Sequence, residues 1–123
     1  MLGTLSQIAI GGALGAMARY LAGQGALRLL GPSFPWGTLL VNVVGSFLMG
    51  ILATYVAQAG PRAAPFLMTG LLGGFTTFSA FSLDTMNLIE RGQTTAAMSY
   101  VVASVGLSLL AIFAGLLLAR SAL

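Results

Sequence analysis

The segment Gly73-Gly74-Phe75-Thr76-Thr77-Phe78-Ser79-Ala80-Phe81-Ser82 constrains this chain more than any other. It sets a helix-breaking glycine pair and a cluster of hydroxyls and phenyl rings inside a stretch otherwise fit for a membrane. Backbone without helical hydrogen bonds survives at membrane depth only when buried in protein or lining a polar cavity. A broken helix packed with small polar groups therefore points to an ion or substrate site.

The rest of the composition supports a membrane setting. Of 123 residues, 58% are hydrophobic and 6% charged, where a soluble domain carries about a quarter of its residues as charges. Without cysteine there is no disulfide framework or thiolate metal site. Histidine is absent too, and Asp84 and Glu90 are the only acids. A structural zinc site or a two-carboxylate active site has no ligands to draw on, so the inventory predicts a non-enzyme. The net charge of +3 comes from scattered arginines, so no basic patch suggests nucleic acid. The N-terminus, Met1-Leu2-Gly3-Thr4-Leu5-Ser6, lacks the basic region of a secretory signal, and its apolar stretch reads as a retained first span.

A membrane helix needs about 20 mainly apolar residues. Four segments are predicted to qualify: Leu2–Leu30, Trp36–Gln58, Pro65–Ile89 and Thr95–Ala119. Turn signals separate them at Gly31-Pro32-Ser33-Phe34-Pro35, Gly60-Pro61-Arg62 and Glu90-Arg91-Gly92-Gln93. The reading is a single four-span transmembrane domain over residues 1–123, all-α, with the third helix broken mid-membrane. Arg62 and Arg120 fall on one side, and Arg28 and Arg91 on the other. Arginine bias sets orientation, and here it is balanced. Insertion in both orientations, hence an antiparallel homodimer, is one reading; a single orientation set by a subtler signal is the other. The pairs Gly11/Gly15, Gly12/Ala16, Ser46/Gly50 and Gly70/Gly74 permit close helix contact in membranes. Together they favour tight packing with a second copy.

The intramembrane polar groups each carry two readings. Arg19 either supplies positive charge to an anion vestibule or snorkels to the interface. Thr38, Asn42 and Ser46 share one face of the second span. They form either interhelical hydrogen bonds or a donor stripe along an ion path, which Asn42 with its two amide donors favours. Ser104 and Ser108 repeat the spacing on the fourth span, where serine ordinarily bonds its own helix. Phe78 and Phe81 share a face; they pack, or they turn positive ring edges toward an anion beside Thr77, Ser79 and Ser82. Open carbonyls around Gly73 and Thr76 would suit a small hard cation. Glu90 reads as a solvated loop charge; Asp84 is either the partner of an interfacial arginine or a coupling acid, and the absence of a second acid or histidine for a proton relay favours the pairing.

With those residues in view, the chain resembles the CrcB/Fluc family of small fluoride channels along almost its whole length. The anchors are Gly11-Gly12-Ala13-Leu14-Gly15-Ala16 with Arg19-Tyr20, then Gly37–Phe47, and then the Gly73–Ser82 block. The resemblance implies an antiparallel dual-topology homodimer with two fluoride pathways. It also implies a sodium ion at the dimer centre, held by backbone carbonyls at Gly73 and Thr76. It implies that Phe78 and Phe81 present ring edges to fluoride and that Asn42 lines the pore. Ser79 and Thr38 would lie by the pathway, Ser104 and Ser108 on a hydroxyl track, and Arg19 at the vestibule and the break. The physiological task would be passive fluoride export across the inner membrane, giving fluoride resistance. Two departures stand out: Ala80 replaces the usual threonine of Phe-Ser-Thr-Phe, and Asp84 replaces the usual glutamate. The competing readings are a small proton-coupled multidrug exporter, which would need a first-span acid this chain lacks, and a non-transporting subunit of a membrane complex.

Overall fold

Long runs of apolar and small residues without internal proline close their backbone bonds locally, and the computed structural model, which describes residues 1–123, is all-helical. Of 101 backbone hydrogen bonds, 90 lie inside helices, which is what a solvent without hydrogen-bonding partners demands. Helix α1 (Leu2–Leu30) ends at Gly31 and α2 (Trp36–Ala59) ends at Gly60. Both glycines take positive φ, 82° and 99°, a region closed to most side chains. A 3₁₀ turn, Pro61–Ala63, then leads into a π-wound stretch, Pro65–Leu72, and one further turn, α3 (Gly73–Phe75). Thr76 and Thr77 are extended, and the chain resumes as α4 (Phe78–Glu90) and α5 (Thr94–Ala122).

Glycines let these rods touch. A β-carbon at Gly50 would strike the Ile112 carbonyl, and one at Gly115 the Phe47 carbonyl, so α2 and α5 meet backbone to backbone. Gly11 and Gly15 do the same for the π-wound stretch: a β-carbon at Gly11 would lie 2.5 Å from the Phe66 carbonyl, and one at Gly15 would strike that of Leu71. Gly74 fits against Gly12. The buried cluster, Leu39, Leu88, Ala97 and Tyr100, sits where α2, α4 and α5 converge, with Phe34 and Phe81 packed on it.

Only 16 of 123 residues are buried, and large apolar side chains from Leu2 to Leu118 face outward. A surface of that kind belongs in lipid or against another chain. Three helical stretches, Trp36–Ala59, Pro61–Glu90 and Thr94–Ala122, are long and apolar enough to cross a membrane. The sequence predicts four. The first helix has the length, 29 residues, but Ser6, Gln7, Arg19, Gln24 and Arg28 dilute its apolar character below that of the others.

Candidate functional site

The break in the third helical stretch is held from outside. The Thr76 amide and hydroxyl both donate to the Leu72 carbonyl, at 3.0 and 2.9 Å, closing the first half. The chain then extends, and the Asn42 side chain clasps it as a neighbouring strand would. The Thr77 N–H donates to Asn42 Oδ1 at 2.8 Å, and Asn42 Nδ2 donates to the Thr77 carbonyl at 2.9 Å. Thr77 in turn caps α4, its hydroxyl accepting the Ala80 N–H at 3.1 Å, and the same oxygen lies 3.2 Å from Ser79 Oγ. From α1, Arg19 Nε donates to the Gly74 carbonyl at 3.1 Å. That contact is of the charge-assisted kind, worth about 1.5–3 kcal/mol. Arg19 therefore reaches inward to the break rather than outward to an interface.

These diversions leave two carbonyls open. In a continuous helix Gly73 would accept the Thr77 N–H and Thr76 the Ala80 N–H; here those donors go to Asn42 and to the Thr77 hydroxyl. Gly73 is exposed and Thr76 half-buried in the single chain, and oxygen ligands of this kind match a small hard cation. By donor type alone, the open oxygens of Gly73 and Thr76 would suit such an ion.

Below the clasp runs a groove of about 340 Å³ between α2, α4 and α5. Asn42 and Ser46 line one wall, Phe78 and Phe81 another, and Ser104 and Ser108 the third. The two phenyl rings stand 5.5 Å apart, tilted by 53°. Phe78 is 78% exposed, so a single chain covers only one side of it. Ser104 is buried, and its Oγ has no hydrogen-bond partner, unlike Ser82 and Thr85, which bond their own helix. An orphaned donor facing a groove without formal charges is suited to a small, strongly hydrated anion.

On the other side of the clasp lie polar cavities. One of about 800 Å³ is bordered by Gln24, Thr38, Asp84, Asn87, Glu90 and Arg91. A smaller one of about 180 Å³ is bordered by Arg19, Gln24, Thr38, Thr77 and Ala80. Thr38 therefore belongs to these polar cavities, and Asn42 and Ser46 to the groove; the stripe on α2 passes the break. Ser79 is exposed and lines neither. Glu90 is exposed at the end of α4. The partner of Asp84 is not an arginine but Tyr100, whose hydroxyl donates to Asp84 Oδ2 at 3.2 Å. Sequence reasoning passed over Tyr100 and Gln24. Tyr100, Ser104 and Ser108 fall at successive turns of α5, a spacing that would have flagged the tyrosine.

Helices of this length and apolarity, with a clasped polar break between a groove and a vestibule, define a multi-pass membrane protein built around a small polar site. Residues 6–116 match the family model described as CrcB-like protein, Camphor Resistance (CrcB). The chain is 62% identical over 120 residues to a fluoride-specific ion channel FluC of Cereibacter sphaeroides, covering 98% of this chain and 97% of that one. It is 57% identical over 117 residues to a protein of the same name from Rhizobium meliloti, covering 93% and 94%. A third, from Agrobacterium fabrum, is 52% identical over 120 residues, covering 95% and 96%. The chain belongs to the CrcB family, whose named relatives are ion channels and not enzymes.

Proposed function

We propose that this chain is a passive, fluoride-selective ion channel that lets fluoride leave the cytoplasm across the inner membrane. The observation that carries the reading is identity of 62% across nearly the whole chain to a protein named for that activity, and the groove chemistry supports it. Fluoride holds its water strongly, so a pathway must replace that water with donors. Ser104, Ser108 and the second amide hydrogen of Asn42 are available for that, and the edges of Phe78 and Phe81 add diffuse positive potential. Arg19, tied to the break, lowers the cost of an anion nearby.

The working unit is an antiparallel homodimer inserted in both orientations, with two fluoride pathways. Balanced arginines and the exposed Phe78 support this. A sodium ion between the two breaks, held by the Gly73 and Thr76 carbonyls, would supply fixed positive charge in a low-dielectric centre and join the protomers. Acid carries fluoride inward as neutral HF, which dissociates at cytoplasmic pH. The inside-negative potential then drives the anion out with about 2.3 kcal/mol per 100 mV.

The test is fluoride efflux from liposomes holding the purified protein, with valinomycin to balance charge and a chloride-loaded sample in parallel. Rapid fluoride release without chloride release is the expected result. No release from well-folded protein would end the channel reading.

A further inference from the structure

Five aromatic rings run in an unbroken ladder from the connection between α1 and α2 to the groove. Trp36 and Phe34 lie 4.7 Å apart, Phe34 and Tyr100 5.4 Å, Tyr100 and Phe81 5.2 Å, and Phe81 and Phe78 5.5 Å. The two lower rings are groove residues on α4, whereas the two upper ones belong to the segment that borders the polar vestibule. Tyr100 is the middle rung and is completely buried.

Each contact on Tyr100 fixes a different freedom. Its hydroxyl donates to Asp84 Oδ2, which sets the direction of the ring axis. Its ring tilts by 41° against Phe81. Phe34 meets it at 89°, an edge-to-face contact, which blocks rotation and outward movement of the ring. Phe34 is itself set by a short connection, Gly31–Pro35, in which Pro32 and Pro35 fix two φ angles and the Trp36 N–H donates to the Phe34 carbonyl at 2.8 Å. Leu39, Leu88 and Ala97 complete the buried surroundings of Tyr100, and Phe34 is the ring that meets it edge-on.

We propose that Phe34 is a positioning residue for the groove, acting through Tyr100 to hold the Phe81 ring and, one and two turns further along α5, the hydroxyls of Ser104 and Ser108. Phe34 does not line the groove. Its effect is mechanical: it couples the loop at the vestibule mouth to the aromatic wall below. The inference rests on the channel reading given above.

The experiment measures fluoride and chloride efflux for wild type, Phe34→Leu, Phe34→Met, Phe34→Tyr, Tyr100→Leu and the double variant Phe34→Leu/Tyr100→Leu. Phe34→Leu and Phe34→Met keep apolar bulk and lose the ring edge; they are expected to slow fluoride release by about 3- to 10-fold, the size of an aromatic pair. Phe34→Tyr keeps the edge and is expected to restore wild-type release. The double variant is expected to be no slower than Tyr100→Leu, because both act through one rung. Wild-type rates in Phe34→Leu and Phe34→Met would overturn the proposal, as would losses that multiply in the double variant. Failure of both single variants to give monodisperse protein would make Phe34 a general folding residue and also overturn it. A silent wild type would remove the channel reading and this one with it, whereas a conducting wild type with unaffected variants removes this one alone.

Discussion

Asn42 concentrates two jobs in one amide. It occupies both backbone polar groups of Thr77, and it lines the groove. Asn42→Ala would leave a Thr77 donor and acceptor unpaired, each at a cost of about 1–3 kcal/mol. We expect that variant to lose fluoride efflux and to unfold at lower temperature in detergent, measured by circular dichroism. Position 80 makes the opposite case. The Ala80 side of α4 faces Arg19 and Thr38 rather than the phenyl groove. Restoring the threonine usual in the family is therefore expected to change the fluoride rate by less than about threefold and to leave exclusion of chloride intact. Phe78, Phe81 and Asn42 were legible from sequence because polar and aromatic groups at helical spacing stand out in an apolar run. Tyr100 stands one and two turns before Ser104 and Ser108, and that spacing is its only mark in the sequence, since a tyrosine in such a run otherwise looks like packing until its hydroxyl partner is seen.

At the scale of elements, the glycines of α1 do the most. Gly15 admits the Leu71 carbonyl and the Phe75 amide, and so sets the depth of the π-wound stretch and the start of the break. Gly15→Ala forces overpacking of about 1–3 kcal/mol and is expected to lower the melting temperature and reduce efflux together. Gly25, with nothing within 4 Å of an added β-carbon, is the control. Gly25→Ala is expected to hold or raise stability, by up to about 1 kcal/mol from helix propensity. Helix ends were readable to within a few residues, because Gly31, Pro35, Gly60 and Gly92 punctuate them. The π winding was not, since it appears only where the backbone of α1 presses close, and residue spacing carries no mark of that.

At the scale of the whole molecule, the chain leaves most of its large apolar side chains uncovered. So few residues are buried, and Phe78 is so bare, that lipid or a second protomer must complete the surface. Because the chain has no cysteine, one introduced at Gly3 can report orientation. Labelling by an impermeant maleimide in sealed vesicles is expected to reach about half of the chains if insertion follows the balanced arginines; complete or absent labelling would sink dual orientation. Exchange of sodium for a bulky organic cation is expected to weaken self-association and slow efflux, read by sedimentation and by the fluoride electrode. A site at the Gly73 and Thr76 carbonyls that holds nothing would leave both unchanged.

The π-wound stretch Pro65–Leu72 also has a genetic meaning. Its bonds reach one residue further than those of an α-helix, so it behaves like a helix that has absorbed an inserted codon. Losing one codon elsewhere in a long helix turns every later side chain by about 100° and scrambles its face. Losing one between residues 65 and 72 can instead tighten the winding and leave α4 pointing as before. A library of single-codon deletions selected for growth in fluoride should therefore gather its survivors from this span, while α2 and α5 yield almost none.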